Sequence, residues 1–267
     1  MNFDGARVLL TGASAGIGRC LALELSRRGA HLALIARDER RLATVSSEAR
    51  ASGGTALAVP FDLAHSDRYP ELVSRVITAL GGITVLINNA GISSFAPFAA
   101  ETPEAIQRLI DVNVSAPLLL TRAVLPHLLQ QRAGHIVNVG SIFGSIAFPH
   151  FTAYSMSKYA MRGFSEALRR ELQGTGVRVS YIAPRTTATA MNGAAVRAFM
   201  RQTGAAIDTP EAVARIIADA IEREKCETFI GQPERFFVRL NALLPSLVDR
   251  ALVRQKRIAE GLLRAQR

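Results

Sequence analysis

A chain of 267 residues with 49% apolar and 20% charged side chains has ordinary globular composition, with enough apolar material for one large α/β domain or two small ones. Its net charge of +10 is unevenly placed: Arg235, Arg239, Arg250, Arg254, Lys256, Arg257, Arg264 and Arg267, against Asp249 and Glu260, give residues 235–267 a charge of +6 and leave +4 for residues 1–234. The body carries no basic–aromatic interleaving, zinc-finger spacing or helix-turn-helix signature, which speaks against nucleic-acid binding. The start, Met1-Asn2-Phe3-Asp4-Gly5, lacks the basic and apolar regions of a signal peptide, and no uninterrupted apolar run reaches membrane-spanning length. Cys20 and Cys226 form no metal or redox motif, so a reducing cytoplasm is the expected setting.

Short apolar runs alternate with longer helical patterns from end to end. A strand at Val8-Leu9-Leu10 leads into a helix at 16–28, then a strand at 32–36 and a polar helix at 38–51. Next come a strand at 56–61, a helix near 69–80, a strand at 84–87 and a long helical region at about 103–131. Strands at 135–139, 178–182 and 228–230 complete the set, with helices at 151–173 and 210–223 between them. Continuous apolar strands separated by helices imply a parallel sheet covered on both faces. The expected fold is a single α/β doubly wound Rossmann-type domain of seven strands over residues 1–231, followed by a helical tail at 232–267.

The first strand ends in Thr11-Gly12-Ala13-Ser14-Ala15-Gly16-Ile17-Gly18, which opens directly into a helix. Glycines allow a tight turn and close approach to a pyrophosphate, whose charge is favoured at a helix N-terminus. Tyr154 and Lys158 are four apart and so share one helix face. A cation beside a phenol favours the phenolate, which makes the pair a candidate proton donor and acceptor for a ketone or alcohol. At the tip of the second strand, Ala36 stands where an acid would hold the ribose 2′-hydroxyl of NAD, and Arg37 follows in a place suited to the 2′-phosphate of NADP. The competing reading leaves Arg37 solvated and gives Asp38 to capping the next helix.

The spacing Gly-x3-Gly-x-Gly, with Asn88-Asn89-Ala90-Gly91 after the fourth strand and Ser141 thirteen residues before Tyr154, resembles the short-chain dehydrogenase/reductase family over residues 6–231. That resemblance implies an oxidoreductase in which Tyr154 exchanges a proton with the substrate oxygen and Ser141 hydrogen-bonds that oxygen. Lys158 would hold the nicotinamide ribose and lower the tyrosine pKa, while Asn113 would interrupt its helix and position a water. Gly12, Ser14, Ala15, Gly16, Ile17 and Gly18 would line the pyrophosphate; Asp62 and Leu63 the adenine; Asn89, Ala90 and Gly91 a wall of the cleft. Pro184, Thr187 and Thr189 would meet the nicotinamide. The expected cofactor is NADP(H); NAD(H) stays the less favoured alternative, kept open because Ala15 stands where NADP enzymes of the family often carry a basic residue.

Arg185 departs from the family's usual glycine, so the loop must differ, or the arginine points to solvent or to an anionic substrate group. Residues 191–206, with Met191, Phe199 and Met200, are expected to form a lid over a lipophilic carbonyl substrate such as a 3-oxoacyl thioester or steroid-like ketone. The five histidines show no ligand spacing, so no metal is expected, although His150 lies near the mouth of the site. Alternatives are NAD-dependent alcohol oxidation and a non-catalytic dinucleotide sensor. The resemblance also implies a homodimer or homotetramer built through the long helices.

In the tail, Phe236, Leu240, Leu243, Leu244, Leu247, Val248, Ala251 and Leu252 recur at helical spacing with arginines elsewhere, and Pro245 should start a second helix or kink the first. Such a segment either packs on the body or a neighbouring subunit, lies at a membrane surface, or binds another protein.

Overall fold

The computed structural model describes residues 1–264; Arg267, the last basic residue of the tail, lies outside them. In chain order the elements are β1 (Arg7–Thr11), α1 (Gly16–Arg27), β2 (His31–Ala36), α2 (Glu39–Ala51), β3 (Thr55–Pro60), α3 (Tyr69–Leu80) and β4 (Val85–Asn88). They continue with α4 (Pro103–Ile110), α5 (Ala116–Gln131), β5 (Gly134–Val139), α6 (Thr152–Glu171), β6 (Val177–Ala183) and α7 (Ala194–Thr203). The last are α8 (Pro210–Glu222), β7 (Glu227–Phe229), α9 (Glu234–Leu243) and α10 (Pro245–Arg264).

All seven strands are parallel, in the order β3-β2-β1-β4-β5-β6-β7. The unbroken apolar character of the strands follows from burial on both faces. Val8 and Leu10 join Leu21, Leu25, Val213 and Ile217 of α1 and α8, whereas Leu9 between them joins Val76, Leu120 and Val124 of α3 and α5. A fully buried leucine of this kind contributes about 1.5–3 kcal/mol. The chain reverses direction across the sheet between β1 and β4, so a crevice opens at their C-terminal ends, beyond Thr11 and Asn88.

The stretch Pro103–Gln131 is, by length and composition alone, apolar enough to cross a membrane. Its buried side chains Leu120, Val124 and Leu128 belong to the core beneath the sheet, which accounts for its apolarity. It is not one regular helix: a π-type bulge at Asp111–Ser115 separates α4 from α5.

Candidate active site

The glycine turn closes tightly on the end of β4. Gly12 has φ +68, and a Cβ there would lie 2.8 Å from the Ala90 Cα. A Cβ on Gly18 would meet the Gly12 carbonyl oxygen at 2.1 Å and Asn89 Nδ2 at 2.6 Å. Thr11 Oγ1 accepts hydrogen bonds from the amides of Asn89 (3.0 Å) and Ala90 (3.1 Å), and Asn89 Nδ2 donates to the Thr11 carbonyl at 3.0 Å. Helix α1 begins behind Ala15 with no side-chain cap and no acidic residue in its first turn. Its leading amides and positive dipole end therefore face the crevice without an internal partner, a cradle that fits a pyrophosphate. Ser14 and Ile17 are half-buried beside it.

At the β2 tip, Asp38 serves the helix that follows and Arg37 stands exposed. Asp38 caps α2, accepting from the Arg41 amide at 3.0 Å, and also pairs with the Arg41 side chain. Arg37 is exposed and, among the described residues, forms no ion pair, so its charge remains free for a ligand. Asp62 is turned inward on its own loop, accepting from the Ala64 amide at 3.0 Å, while the Leu63 carbonyl accepts from the Tyr69 hydroxyl at 2.6 Å.

Helix α6 brings Tyr154 and Lys158 to one face. Lys158 is 4% exposed; its Nζ lies 5.7 Å from the centre of the Tyr154 ring and donates to the Val139 carbonyl at 3.4 Å. Burial with no paired carboxylate pushes this lysine down to about 8. The expected lowering of the phenol by the lysine is not the net effect. Burial pushes Tyr154 above its ordinary value, and only the interaction with the Ser141 hydroxyl works in the other direction. Desolvation in a wall of aromatic rings disfavours the phenolate more than the Ser141 hydrogen bond favours it.

Asn113 occupies the bulge between α4 and α5 and is fully buried. Its Oδ1 accepts from the Ile92 amide at 2.8 Å, and its Nδ2 donates to the Ile92 carbonyl at 2.8 Å and to Ser157 Oγ at 3.0 Å. The side chain is thus committed to the backbone after β4 and to α6. A Cβ on Gly91 would sit 3.3 Å from Asn113 Oδ1 and 3.5 Å from Lys158 Nζ, so the cleft wall meets the catalytic candidates directly.

Ser141 caps the short turn that follows β5, accepting from the Phe143 amide at 3.1 Å. Its placement depends on Tyr181, which sequence reading did not single out. The Tyr181 hydroxyl donates to the Ser141 carbonyl at 3.0 Å, and the ring fills the space where Cβ atoms on Gly140 and Gly144 would be, at 2.2 and 2.4 Å. A tyrosine in a buried strand reads as core, and nothing local marks it as a support. Also unforeseen is a buried amide network. Asn88 Nδ2 donates to Thr121 and Asn138, and Asn138 Nδ2 donates to Ser165, which ties α5 and α6 to the ends of β4 and β5.

The segment after β6 forms the opposite wall. Gly16, at φ +54, would place a Cβ 3.0 Å from Thr189 Cγ2, so the turn and this loop touch. The Pro184 carbonyl accepts from the Ile142 amide, and the Thr187 carbonyl accepts from Asn192 Nδ2 at 2.7 Å. Arg185 does not occupy the left-handed backbone region, so no strain attends the replacement of glycine. Its guanidinium is mostly buried and engaged within the protein: Nε and Nη2 donate to both oxygens of Asp208 (2.9 and 2.8 Å), and Nη1 donates to the Gln232 carbonyl and Glu234. Arg185 therefore clamps the loop to the segment before α8 and to the start of α9.

Above Tyr154 stands an aromatic wall. Phe143 and Phe151 approach its ring edge-on at 6.0 and 6.4 Å, and Phe95 and Phe199 pack on Phe151. His150 abuts Phe95, and its buried Nε2 has no hydrogen-bond partner among the described residues. Val196, Phe199 and Met200 of α7 close the cluster, backed by Ile258, Ala259 and Leu262 of α10. A separate cleft of about 480 Å³ lies on another face of α6, where Thr152, Met156 and Tyr159 face Leu252 and Val253 of α10. It is not the catalytic crevice.

Comparison with known proteins identifies the family and agrees with the fold. Residues 6–198 match the short chain dehydrogenase family model. The chain is 32% identical over 264 residues to the ketoacyl reductase HetN of a Nostoc species, covering 92% of this chain and 88% of that protein. A metagenomic short-chain oxidoreductase in complex with NADP superposes with a TM-score of 0.73 at 33% identity, covering 86% of this chain and 98% of the other. A Burkholderia phymatum short chain dehydrogenase/reductase in complex with NAD gives 0.85 at 26% identity, over 92% and 96%. The chain belongs to the short-chain dehydrogenase family of oxidoreductases.

Proposed function

We propose that the protein is an NADP(H)-dependent reductase of lipophilic ketones, including 3-oxoacyl thioesters, running in reverse as a secondary-alcohol dehydrogenase. The observation that carries the reading is the buried Lys158 beside Tyr154, with Ser141 against the phenol and Gly91 of the cleft wall within reach of the lysine. A dinucleotide held by its pyrophosphate in the glycine cradle would supply or receive the hydride through its nicotinamide. Gly12, Ser14, Ala15, Gly16, Ile17 and Gly18 would hold the pyrophosphate, Arg37 the 2′-phosphate, Asp62 and Leu63 the adenine edge, and Pro184, Thr187 and Thr189 the nicotinamide face. A substrate carbonyl accepts hydrogen bonds from Ser141 and Tyr154, and the phenol releases its proton as the oxygen gains charge. A phenol held above its ordinary value stays protonated at neutral pH and is ready to act as the acid. Lys158, near 8, can pass a proton toward it. Because the Asn113 side chain is already engaged, a water linking Lys158 to solvent would rest on backbone groups of the bulge rather than on that side chain.

The aromatic wall supports an apolar substrate, and the free charge of Arg37 supports NADP. Leu118, Leu119 and Leu129 stand exposed on α5, in keeping with a dimer or tetramer formed through the long helices; light scattering that returns the mass of one chain would remove that part. A panel of ketones and acyl thioesters, followed by NADPH and NADH consumption, tests the whole. The expected result is a higher kcat/KM with NADPH and, for Arg37→Asp, a loss of about 10- to 100-fold with NADPH but not with NADH. Equal efficiency with the two cofactors would contradict the NADP assignment.

A further inference from the structure

The tail divides its apolar residues between two destinations. Val238 and Val248 are buried, and Leu240 and Leu252 half-buried, against Ile142, Ile146, Met161 and Tyr181 of the body. The other apolar side chains point away. Leu243 is 78% exposed and Phe236 61%, and Phe237, Leu244 and Leu247 are exposed beside them. Phe236 and Leu243 are two turns apart on α9, and Leu244, Pro245 and Leu247 carry the patch around the elbow into α10. A stable packing helix buries its apolar stripe; here the elbow holds its large apolar groups outward, where they lower stability unless something covers them.

The surroundings of the patch indicate what covers it. Arg235 and Arg239 flank it on α9, and Arg250, Arg254 and Arg257 continue the outward row of α10 at helical spacing; all are exposed. Among the described residues none of the five forms an ion pair; of the acids nearby, Glu234 and Glu260 are engaged by Arg185 and Lys256, and the exposed Asp249 is one charge against the five. An apolar tip rimmed by unpaired cations matches an anionic lipid surface, with the tip sinking below the headgroups and the arginines meeting phosphates. An ordinary protein contact would not call for so many uncompensated arginines around an apolar centre.

We infer that the α9–α10 elbow docks the protein peripherally on anionic lipid membranes, inserting Phe236, Phe237, Leu243, Leu244 and Leu247. This stands apart from the reductase assignment and survives its failure. Co-sedimentation of the full chain tests it, using vesicles of phosphatidylcholine alone and of phosphatidylcholine with phosphatidylglycerol in equal parts, alongside a Leu243→Glu/Leu247→Glu double variant and an Arg250→Gln/Arg254→Gln double variant. Circular dichroism and melting show that each is folded, and the exposed arginine pair keeps the test open if the leucine pair misfolds. The expected result is binding to the mixed vesicles only, weakened about tenfold or more by either pair and by high salt. Negligible binding to both vesicles, or binding indifferent to both pairs, would overturn the inference. So would a fall in solution mass for the leucine pair without any lipid binding by the parent, since that assigns the patch to a second copy of this chain.

Discussion

Lys158 shows how a single residue can act against the fold it belongs to. It is buried without a carboxylate partner, and its pKa falls from 10.5 to about 8. In the unfolded chain the amine binds its proton more tightly, so the folded state is penalised wherever the group is charged. The penalty is complete below pH 8 and is relieved as pH rises from 8 to 10.5. Lys158→Met should therefore melt higher than the parent at neutral pH, by up to about 3 kcal/mol in stability, with the gap closing toward pH 10.5. Thermal melts across that range check it; a variant less stable than the parent at pH 7 would show that the lysine is structurally compensated. Retention of a destabilising cation at this point is what a functional site leads one to expect. Tyr154 and Lys158 were legible in the sequence because their relation is local, one turn of helix. The direction of the Tyr154 shift was not, because it depends on Phe143 and Phe151, whose proximity only the fold creates.

At the scale of elements, the site is an arrangement of ends: the turn after β1, the bulge between α4 and α5, the turn after β5 and the loop after β6. The glycine turn and the Asn88–Gly91 wall could be read from the chain because glycine leaves a visible mark where backbones must approach. Arg185 could not, since its partners Asp208 and Glu234 lie 23 and 49 residues away. Its clamp carries a specific expectation. Arg185→Ala should free the loop that bears Thr187 and Thr189 and leave Asp208 partly buried without its cation, lowering stability by about 1–3 kcal/mol. KM for cofactor should rise more than kcat falls, because no atom of Arg185 faces the reacting groups. Steady-state kinetics that show kcat collapsing at unchanged KM would assign Arg185 to the chemistry instead.

For the molecule as a whole, the seven-stranded parallel sheet followed from the alternation of apolar runs and helices, and strand boundaries shifted by only a residue or so. The tail was legible as helical, including the break at Pro245, but not in its disposition, since periodicity shows that a helix has an apolar face without showing what meets it. In the fold α10 backs α7 through Ile258, Ala259 and Leu262. A chain ending at Gln232 should consequently melt lower and lose more of its affinity for apolar ketones than for NADPH, because the deleted helices back α7, while Asp208 still holds Arg185 and the glycine turn is untouched. Calorimetric titration of each ligand distinguishes this from general unfolding, which would abolish both.

The most direct test of the proposed chemistry is Tyr154→Phe, assayed for NADPH binding by fluorescence and for ketone reduction by NADPH consumption. Removing one hydroxyl from a ring packed against Phe143 and Phe151 leaves the wall intact. The account predicts unchanged cofactor affinity with turnover reduced by at least about 10²-fold, the loss expected of a general acid. Turnover within a few-fold of the parent would contradict it.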